Sequence, residues 1–443
     1  MVSPRTSSFT PRIMLSVLNP RFLCSFLLAL CVPPAVFAAA PTCTLRPLGP
    51  GHDDTDQVEA AIAKCGQSGT TTFEAGNFNI TRKMTWNLVS SKVDLHGFLN
   101  FQPNIQFWLN ANNTYRVVFI QSQASWFVVT GSDFTIDAHN TGGIQGNGQP
   151  WWTHFSASSS RKDGDGRPIS LTIWKATRGV VRNFRIESPP FWSSAVAQST
   201  GIVMDTMFIN ATNQDPAFSG KNIVPNTDGI DTYRSDNVSL LNWDVTCGDD
   251  CLAIKGNSTN IVARNITCRG GTGIAIGSLG QYANMSDQVS NVDMENLRLI
   301  RLPSNVQPIM AHGVYFKSWS GSVNGAPPTG GGAGPGDVHN VTARNVQLTG
   351  VTTAIAIGQN YGTTGSVPNA PSKLKFGNLN FSNWTGTTST KLIVDLECSP
   401  AVNCTSITFS KFSVTAPSGQ SPQITCQNVV GLTGLSATCQ RTT

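Results

Sequence analysis

Short apolar strand segments recur along this chain, and an asparagine stands before many of them. Four such units read Asn183-Phe184-Arg185-Ile186, Asn237-Val238-Ser239-Leu240, Asn260-Ile261-Val262 and Asn291-Val292-Asp293-Met294. The last three asparagines lie 23 and 31 residues apart, which is the length of one coil of a solenoid with insertions. Short strands would also suit a β-sandwich, but similar units without strict hairpin signals favour a parallel β-helix.

The composition supports a single all-β domain over residues 39–443. Only 12% of the residues are charged, 41 are glycine, and Asn, Ser and Thr are abundant. Such a composition suits many short strands joined by polar turns. Further strand-like segments follow at 338–346, 374–381 and 407–412. We interpret the Gly- and Pro-rich segment 327–336 as a loop inserted within the domain and not as a linker.

The N-terminus has the pattern of a secretory signal peptide over residues 1–38. Three arginines and an apolar run at 22–32 precede a small-x-small cleavage site that ends at Ala38. The apolar run is too short to cross a bilayer, so we expect no membrane anchor. The sequence therefore predicts a secreted, extracellular protein.

The charge balance excludes one class of partner. The full chain has a formal charge of +5, and removal of residues 1–38 takes away three arginines and no acid, which leaves +2. A nearly neutral protein lacks the basic face expected of a nucleic-acid-binding protein. Nothing in the sequence indicates a partner chain, so a monomer is the default expectation.

A helix is predicted before the first strands. Asp53-Asp54-Thr55-Asp56 is followed by apolar residues at helical spacing from Val58 to Ala63, and the segment ends at Cys65-Gly66. Carboxylates are favoured at the start of a helix, so we interpret these acids as N-terminal helix residues and not as a calcium site. Such a helix would cap the open apolar end of a β-helix.

Nine cysteines remain after removal of the signal peptide. Short local loops favour the pairs Cys43–Cys65, Cys251–Cys268, Cys398–Cys404 and Cys426–Cys439, with Cys247 buried and reduced, although spacing alone leaves other connectivities open. Glycosylation signals of the Asn-x-Ser/Thr type fit an extracellular glycoprotein. They stand at Asn79, Asn112, Asn210, Asn237, Asn257, Asn265, Asn284, Asn340, Asn380, Asn383 and Asn403.

Three acids mark the candidate site. Asp228 precedes Asp249 and Asp250 by about one coil, so a β-helix would stack them on one face. Carboxylates held together repel one another, and at least one pKa should rise. A raised carboxyl beside an ionised one is the pair that acid–base hydrolysis of a glycoside needs. The alternative is an acidic turn without chemistry.

These acids belong to a set of motifs that resembles the polygalacturonase family of pectin-degrading glycoside hydrolases, which are right-handed parallel β-helices. The resemblance covers nearly the whole mature chain. Its motifs are Gly146-x-Gly148-x-x-Trp151-Trp152, Ser188-Pro189-Pro190-Phe191-Trp192, Asn226-Thr227-Asp228-Gly229-x-Asp231, Gly248-Asp249-Asp250-Cys251 and Gly273-x-x-x-Gly277-Ser278-x-Gly280.

The resemblance implies a role for each acid. Asp249 would be the general acid, and Asp228 and Asp250 would hold and deprotonate the attacking water. The product would be inverted, and the acid and base are expected about 6.5–9.5 Å apart to leave room for that water. The family implies no metal and no other cofactor. Asp231 and Asp244 are expected to be structural.

Two departures from the family indicate the sugar. Thr272 stands where the family has His, and Tyr315 stands where it has the Arg of an Arg-x-Lys pair, with Lys317 kept. In the family, that pair binds the galacturonate carboxylate. The planar guanidinium of Arg can make two parallel hydrogen bonds to a carboxylate, and Lys alone cannot reproduce them. We expect Thr272, Tyr315 and Lys317 to contact the sugar. The pocket should favour a neutral sugar with an apolar patch, and the pectin component that fits is rhamnose.

The nearest branch by resemblance is that of the exo-rhamnogalacturonases and α-L-rhamnosidases. Gly277-Ser278-Leu279-Gly280-Gln281-Tyr282 resembles the exo-acting branches, in which loops close the cleft. The segment 304–312 and the Gly-rich loop near 330 are candidates for this closure. His312 is a possible substitute for the missing family histidine, but we expect it to be structural.

The sequence therefore predicts a secreted, exo-acting, inverting hydrolase that releases terminal α-L-rhamnose from rhamnogalacturonan. The first alternative is an exo-galacturonidase that releases terminal galacturonate. A lesser alternative is an inactive carbohydrate-binding β-helix, although retention of mutually repelling acids argues against it. A pectate lyase would need calcium and a cationic base.

Overall fold

A computed structural model describes residues 39–157, 166–323, 325–361 and 370–436. The predicted signal peptide 1–38 and Cys439, the predicted partner of Cys426, lie outside these residues and remain predictions. Within the described part of the chain, no helix combines the length and the apolar character needed to cross a membrane.

Most of the described chain is β-strand. The α-helices are α1 (Thr55–Cys65), α2 (Ile105–Trp108) and α3 (Gly148–Ser156). The first strands are β1 (Thr42–Leu45), β2 (Thr70–Phe73), β3 (Asn77–Ile80), β4 (Met84–Val89), β5 (Lys92–Leu95), β6 (Phe98–Phe101), β7 (Tyr115–Val118), β8 (Gln123–Ser125), β9 (Phe127–Asp137), β10 (Gly143–Gln145), β11 (Pro168–Ile169), β12 (Leu171–Glu187), β13 (Ser194–Ala197) and β14 (Thr200–Asn210). The later strands are β15 (Ile230–Tyr233), β16 (Asp236–Thr246), β17 (Asp250–Ile254), β18 (Ser258–Arg269), β19 (Gly273–Leu279), β20 (Asp287–Ile300), β21 (His312–Trp319), β22 (Gly336–Val351), β23 (Thr353–Tyr361), β24 (Leu374–Thr388), β25 (Leu392–Glu397), β26 (Cys404–Thr415), β27 (Gln423–Gln427) and β28 (Val429–Thr433).

Successive coils pair in parallel along two long ladders. From β12 onward, one ladder runs through the even-numbered strands to β28. The other runs through the odd-numbered strands from β13 to β27. Each strand therefore pairs with the strand two further along, so each coil adds one strand to each ladder. This is the predicted right-handed parallel β-helix, and the predicted fold class is confirmed.

The register of the odd-numbered ladder separates the core from the outer face. Ile230, Leu252, Ile274, Val314, Ile355 and Val394 share one position in successive coils, and all are buried in the core. Full burial of such a side chain contributes about 1.5–3 kcal/mol. Because side chains alternate along a strand, the next position faces outward. We call this position the outer row: Asp231, Ala253, Ala275, Tyr315, Ala356 and Asp395.

Asparagines stack on the surface in ladders of their own. One ladder consists of Asn242, Asn265, Asn296, Asn345 and Asn383, whose φ angles lie between 56° and 59°. Each side-chain amide donates to the oxygen of the previous asparagine, over 2.8–3.3 Å. Asparagine tolerates this left-handed conformation better than most residues. The asparagines of the sequence repeat share this conformation but lie within strands and not before them; they are Asn183, Asn237, Asn260 and Asn291, with φ angles between 53° and 56°. Asn265 and Asn383 are also predicted glycosylation sites, and their occupancy remains a prediction.

The predicted helix covers the N-terminal end of the β-helix. Helix α1 buries Val58, Ile62 and Cys65 and packs on β1, β2 and β4. Asp54 does not cap the helix with its side chain; its carboxylate accepts hydrogen bonds from the backbone amides of Leu48 and Asn79, at 2.9 and 2.8 Å. The acid thus ties the helix start to neighbouring segments.

Three predicted disulfides are confirmed. Cys43–Cys65 joins α1 to β1, Cys251–Cys268 joins β17 to β18, and Cys398–Cys404 links the end of β25 to β26. Cys247 is buried and free, as predicted. These short links fasten neighbouring segments of the coil.

A small side sheet was not predicted. Strand β8 pairs with β7 and with β11, and these strands form a sheet separate from the main one. Val118 and Ile169 of this sheet pack with Phe191, Trp192 and Tyr233 in a second buried apolar cluster. The outer face of the β-helix is therefore covered in the coils that precede the acids.

The asparagine ladder yields a stability prediction. Replacement of Asn296 by Ala removes hydrogen bonds to two neighbouring asparagines and leaves an alanine in a left-handed conformation. We expect a loss of about 1–3 kcal/mol in the free energy of unfolding, measured by denaturant titration. Asn284→Ala, at an exposed loop asparagine, is the control. Equal stability of the two variants would show that the ladder does not stabilise the fold.

Candidate active site

Two polar segments bring the predicted acids together. The hydroxyl of Thr227 donates to the carbonyl of Val224 at 2.7 Å and accepts from the amide of Gly248 at 2.9 Å. The amide of Gly229 donates to the carbonyl of Asp250 at 2.9 Å. These bonds fasten the segment that contains Asp228 to the one that contains Asp249 and Asp250. As a result, carboxylate oxygens of all three acids lie within 4.8 Å of one another.

One oxygen of each carboxylate approaches those of the other two closely. These oxygens lie no more than 4.8 Å apart, whereas the predicted gap of about 6.5–9.5 Å is a separation of whole carboxyl groups, so that gap stays a prediction. The close approach follows from the parallel ladder, in which adjacent strands are about 4.7–4.9 Å apart, so the acids before β15 and at the start of β17 meet at close range.

Asp250 is the most strongly bound of the three acids. Lys317 Nζ donates to one carboxylate oxygen at 2.9 Å, and the hydroxyls of Thr272 and Tyr315 donate to the other. Burial opposes ionisation of Asp250, but the charges of Lys317 and Lys255 and these hydrogen bonds outweigh it, and its pKa is lowered. Asp250 is thus held as a carboxylate, although it is only 1% exposed.

Asp249 and Asp228 behave in the opposite way. Burial and the charge of Asp250 raise the pKa of Asp249, whose Oδ2 accepts hydrogen bonds from the backbone and side-chain amides of Asn226, at 3.0 and 3.3 Å. Burial, followed by the charges of Asp231, Asp249 and Asp250, raises the pKa of Asp228 well above its ordinary value. Among the described residues, Asp228 Oδ1 has no hydrogen-bond partner. The site therefore combines one carboxylate whose pKa is lowered with two carboxyls whose pKa values are raised.

The three predicted sugar-contacting residues lie beside Asp250. Thr272, Tyr315 and Lys317 all line the same cavity as Asp249. Tyr315 is only 9% exposed, and its hydroxyl also accepts from Lys317 Nζ at 2.8 Å. The structure thus directs the polar atoms of these residues toward Asp250, while parts of each side chain form the cavity wall. Contact with a sugar remains a prediction.

A buried ion pair behind the acids was missed. Lys255 Nζ lies 3.1 Å from Asp231 Oδ1, both side chains are at most 5% exposed, and the ammonium stands 5.2 Å from the Trp192 ring. Burial raises the pKa of Asp231 to about 7, against the opposing charge of Lys255. The signal in the sequence was a lysine that ends the apolar strand Cys251-Leu252-Ala253-Ile254. By contrast, Asp244 pairs with Arg269 at 2.8 Å, as a structural residue would.

His312 lies in the cavity wall. Its backbone amide donates to the carbonyl of Thr272 at 3.1 Å, which places it one coil beyond that residue. Its ring packs on Tyr315 with centroids 4.6 Å apart. Burial lowers the pKa of His312 to about 4, so the imidazole is neutral at moderate pH. The expected structural role of His312 stays a prediction.

The cavity beside the acids has a volume of about 460 Å³. It extends from Asp249 through Tyr315 and Lys317 to Asp395 and Glu397 at its far end. This volume falls within the roughly 300–1,000 Å³ typical of ligand pockets.

The loops proposed to close the cleft contact neighbouring segments, although the residues that make these contacts do not line the cavity. The side chain of Gln307 donates to Asn222 at 3.1 Å, so the 304–312 segment reaches the loop before Asn226. Gln281 donates to the carbonyls of Pro328 and Gly330, at 3.0 and 2.8 Å, and so holds the Gly-rich loop. The amide of Gln121, beside the side sheet, donates to the Tyr282 hydroxyl at 2.9 Å. Both loops proposed from the sequence therefore make contacts, and the side sheet adds a third.

Comparison with known proteins agrees with this geometry. The family model described as "Glycosyl hydrolases family 28" matches residues 81–439. The chain is 39% identical over 407 residues to a "Putative galacturan 1,4-alpha-galacturonidase A" of Aspergillus niger, covering 87% of this chain and 91% of the relative. It is 30% identical over 405 residues to "Alpha-L-rhamnosidase rgxB" of Aspergillus niger, covering 89% of each. The crystal structure of an endo-xylogalacturonan hydrolase from Aspergillus tubingensis aligns with a TM-score of 0.73 at 23% identity, covering 91% of this chain and 99% of that one.

The buried ion pair yields a prediction of its own. Lys255→Met leaves the Asp231 carboxyl buried without its cation, and loss of one partner of a buried pair costs roughly 3–5 kcal/mol. The loss should grow with pH. A carboxyl whose folded pKa is raised stabilises the fold fully in acid, and that stability is lost as the pH rises toward the folded value, which is about 7 for Asp231. Without Lys255, this pKa rises further.

Denaturant titration at several pH values measures the effect. The double variant Lys255→Met with Asp231→Asn removes both charges and should recover most of the stability. Lys221→Met, at an exposed lysine, is the matched control and should be nearly neutral. A double variant as unstable as Lys255→Met would contradict the assignment of the cost to an unpaired carboxyl.

Proposed function

The chain belongs to family 28 of the glycosyl hydrolases, and from this premise we propose that it is an exo-acting, inverting enzyme that releases terminal α-L-rhamnose from rhamnogalacturonan. The proposal includes secretion after removal of residues 1–38, because pectin lies outside the cell that secretes its hydrolases. It includes action as a monomer without a cofactor.

The protonation states support a division of roles among the acids. Asp249, with its raised pKa, holds the proton that it gives to the glycosidic oxygen as the bond to the leaving sugar breaks. Asp250, held ionised by Lys317, accepts a proton from water as the water oxygen attacks the anomeric carbon. The protonated Asp228 helps to orient that water.

The short distance between the acids still accommodates the water. A water that makes hydrogen bonds of about 2.8 Å to two oxygens can bridge a gap of up to about 5.6 Å. Oxygens of Asp228 and Asp250 are no more than 4.8 Å apart, so one water can contact both. This arrangement supports Asp228 and Asp250 as the water-binding pair.

The proposal of rhamnose rests on one observation, which is that the ammonium group of Lys317 is already bonded within the protein. Among the described residues that line the cavity, Lys317 is the one permanent cation, since His312 is neutral at moderate pH. Its ammonium already binds Asp250 at 2.9 Å and the Tyr315 hydroxyl at 2.8 Å. A galacturonate carboxylate would therefore enter a cavity that also contains Asp249, Asp395 and Glu397 without a free cation to bind. Rhamnose, with a methyl group in place of the carboxylate, avoids this cost.

The second candidate is an exo-galacturonidase. It is favoured by the name of the 39% identical relative, a "Putative galacturan 1,4-alpha-galacturonidase A". The name of the 30% identical relative, "Alpha-L-rhamnosidase rgxB", favours the first candidate. The higher sequence identity therefore favours galacturonate, whereas the charge of the cavity favours rhamnose. The released sugar has to be identified directly.

The test is to incubate the mature protein with rhamnose-terminated and with galacturonate-terminated rhamnogalacturonan oligosaccharides in the presence of a chelator. NMR identifies the released sugar and its first anomer. Inverted rhamnose is the expected product. Inverted galacturonate would keep the acid–base mechanism and overturn the choice of sugar. A retained anomer would overturn the direct attack by water, and an unsaturated product or dependence on calcium would indicate a lyase.

A substitution of the general acid tests the mechanism. Asp249→Asn removes the proton donor, and we expect the turnover rate to fall about 10²–10⁴-fold, with folding and substrate binding retained. Initial rates, thermal unfolding and oligosaccharide affinity are the measurements. Asp244→Asn removes a nearby carboxylate that pairs with Arg269, and it should keep near-normal turnover. Near-normal turnover in Asp249→Asn would refute the assignment of the general acid.

A further inference from the structure

The far wall of the cavity consists of two acids that the proposed chemistry does not use. Asp395 and Glu397 lie on β25 and line the same cavity as Asp249, Tyr315 and Lys317. Thr425 donates a hydrogen bond to Asp395. Among the described residues, no arginine or lysine forms an ion pair with either acid. The wall is therefore anionic and faces the space that receives the substrate.

The strand register defines the width of this space. Tyr315 aligns with Ala356 and then with Asp395, while Lys317 aligns with Gly358 and then with Glu397. The acids thus lie two coils beyond Tyr315 and Lys317, about 9–10 Å between backbones. Ala356 and Gly358 form the floor, and both have minimal side chains.

The floor is open where the glycine lies. A β-carbon added to Gly358 would meet a single atom within 4 Å, the side-chain oxygen of Asn360 at 3.9 Å. Many other glycines of the coil lie against backbone; a β-carbon at Gly273, for example, would come within 2.2 Å of the carbonyl of His312. The space above Gly358 is therefore a trough between the Lys317 wall and the Glu397 wall.

Carboxylates in such a wall act differently on neutral and on charged sugars. A carboxylate accepts hydrogen bonds from sugar hydroxyls without any change of charge. It repels a second carboxylate, and the cost is larger in a partly enclosed cavity than in bulk water. Burial and the charge of Asp395 raise the pKa of Glu397, which agrees with the close approach of the two acids.

We propose that Asp395 and Glu397 form a specificity-determining subsite that binds a neutral sugar through its hydroxyls and rejects a galacturonate. The inference rests on the proposed function, because the sugar in this trough is the second unit after the cleaved terminal bond, which is rhamnose in an alternating chain with a terminal rhamnose. In rhamnogalacturonan, neutral and acidic sugars alternate, whereas in homogalacturonan every unit is acidic. The subsite therefore selects alternating chains over uniformly acidic ones.

The experiment compares two substrates with the same terminal sugar and the same scissile bond. One continues as alternating rhamnogalacturonan and the other as homogalacturonan. The intact enzyme near neutral pH should prefer the alternating chain by about tenfold in kcat/KM. The variant Asp395→Asn with Glu397→Gln should lose this preference, mainly through a lower KM for the acidic chain. High salt should reduce the preference of the parent enzyme but leave the variant unchanged.

Control variants separate this effect from general changes of charge. Asp133→Asn and Glu74→Gln remove exposed acids that pair with arginines and do not line the cavity, and both should keep the parental preference. Gly358→Val fills the trough sterically and should raise KM for both long substrates. If Asp395→Asn impairs folding, the more exposed Glu397→Gln alone should still reduce the preference.

Two results would overturn the proposal: no preference in the parent enzyme, or an undiminished preference in the folded variant. Neither depends on the identity of the terminal sugar. If the enzyme releases galacturonate, the test uses galacturonate-terminated chains that differ only at the unit in the trough, which is rhamnose in one chain and galacturonate in the other, so failure of the proposed function and failure of this subsite are distinguished.

Discussion

The parallel hydrogen-bond ladder is the constraint on which the rest of the structure depends. It repeats each side-chain position at one strand spacing, about 4.8 Å, along the whole coil. Inward positions become continuous apolar columns, and outward positions become continuous surfaces. Asp228 stands just before β15, and Asp250 begins β17. Strands β15 and β17 pair directly, so the ladder sets the distance between these two acids. The site therefore inherits its geometry from the same bonds that hold the fold.

Close stacking of acids has an electrostatic cost, and the structure offsets it with two buried lysines. The carboxyls are Asp228, Asp231, Asp249 and Asp250, and the ammonium groups are Lys255 and Lys317. Two cations stand against four carboxyls. Lys317 binds Asp250 directly, and the pKa of that acid is lowered while the pKa values of Asp228 and Asp249 rise. The difference in pKa among the acids thus follows from which carboxylate the lysine reaches.

Much of this could be predicted from the sequence because it depends on local spacing. The asparagine repeat follows from one conformational preference, and the stacking of Asp228 on Asp250 follows from the length of a coil. The close approach of the carboxylate oxygens was not predicted because the family mechanism, and not the ladder, was used to set the expected separation. Lys255 was missed because a buried lysine is recognisable only once Asp231 is placed against it. The side sheet was missed because β7, β8 and β11 are short and β11 follows β8 by about 40 residues.

Membership of the family determines the β-helix fold and the acidic residues of the site more firmly than it determines which sugar is released. Inward side chains contribute packing energy in every coil, so their apolar character is constrained throughout. Tyr315 of the outer row packs with Ala253 and Ala275 in a small cluster separate from the main core, so it can change at less cost to that core. Tyr315 nevertheless donates to Asp250 and accepts from Lys317, so the residue that departs from the family pattern also helps to keep Asp250 ionised. In this chain, Tyr315 lines the cavity and its hydroxyl bonds to Asp250 and Lys317, so a change at Tyr315 alters the cavity wall and the hydrogen bonds of Asp250 together.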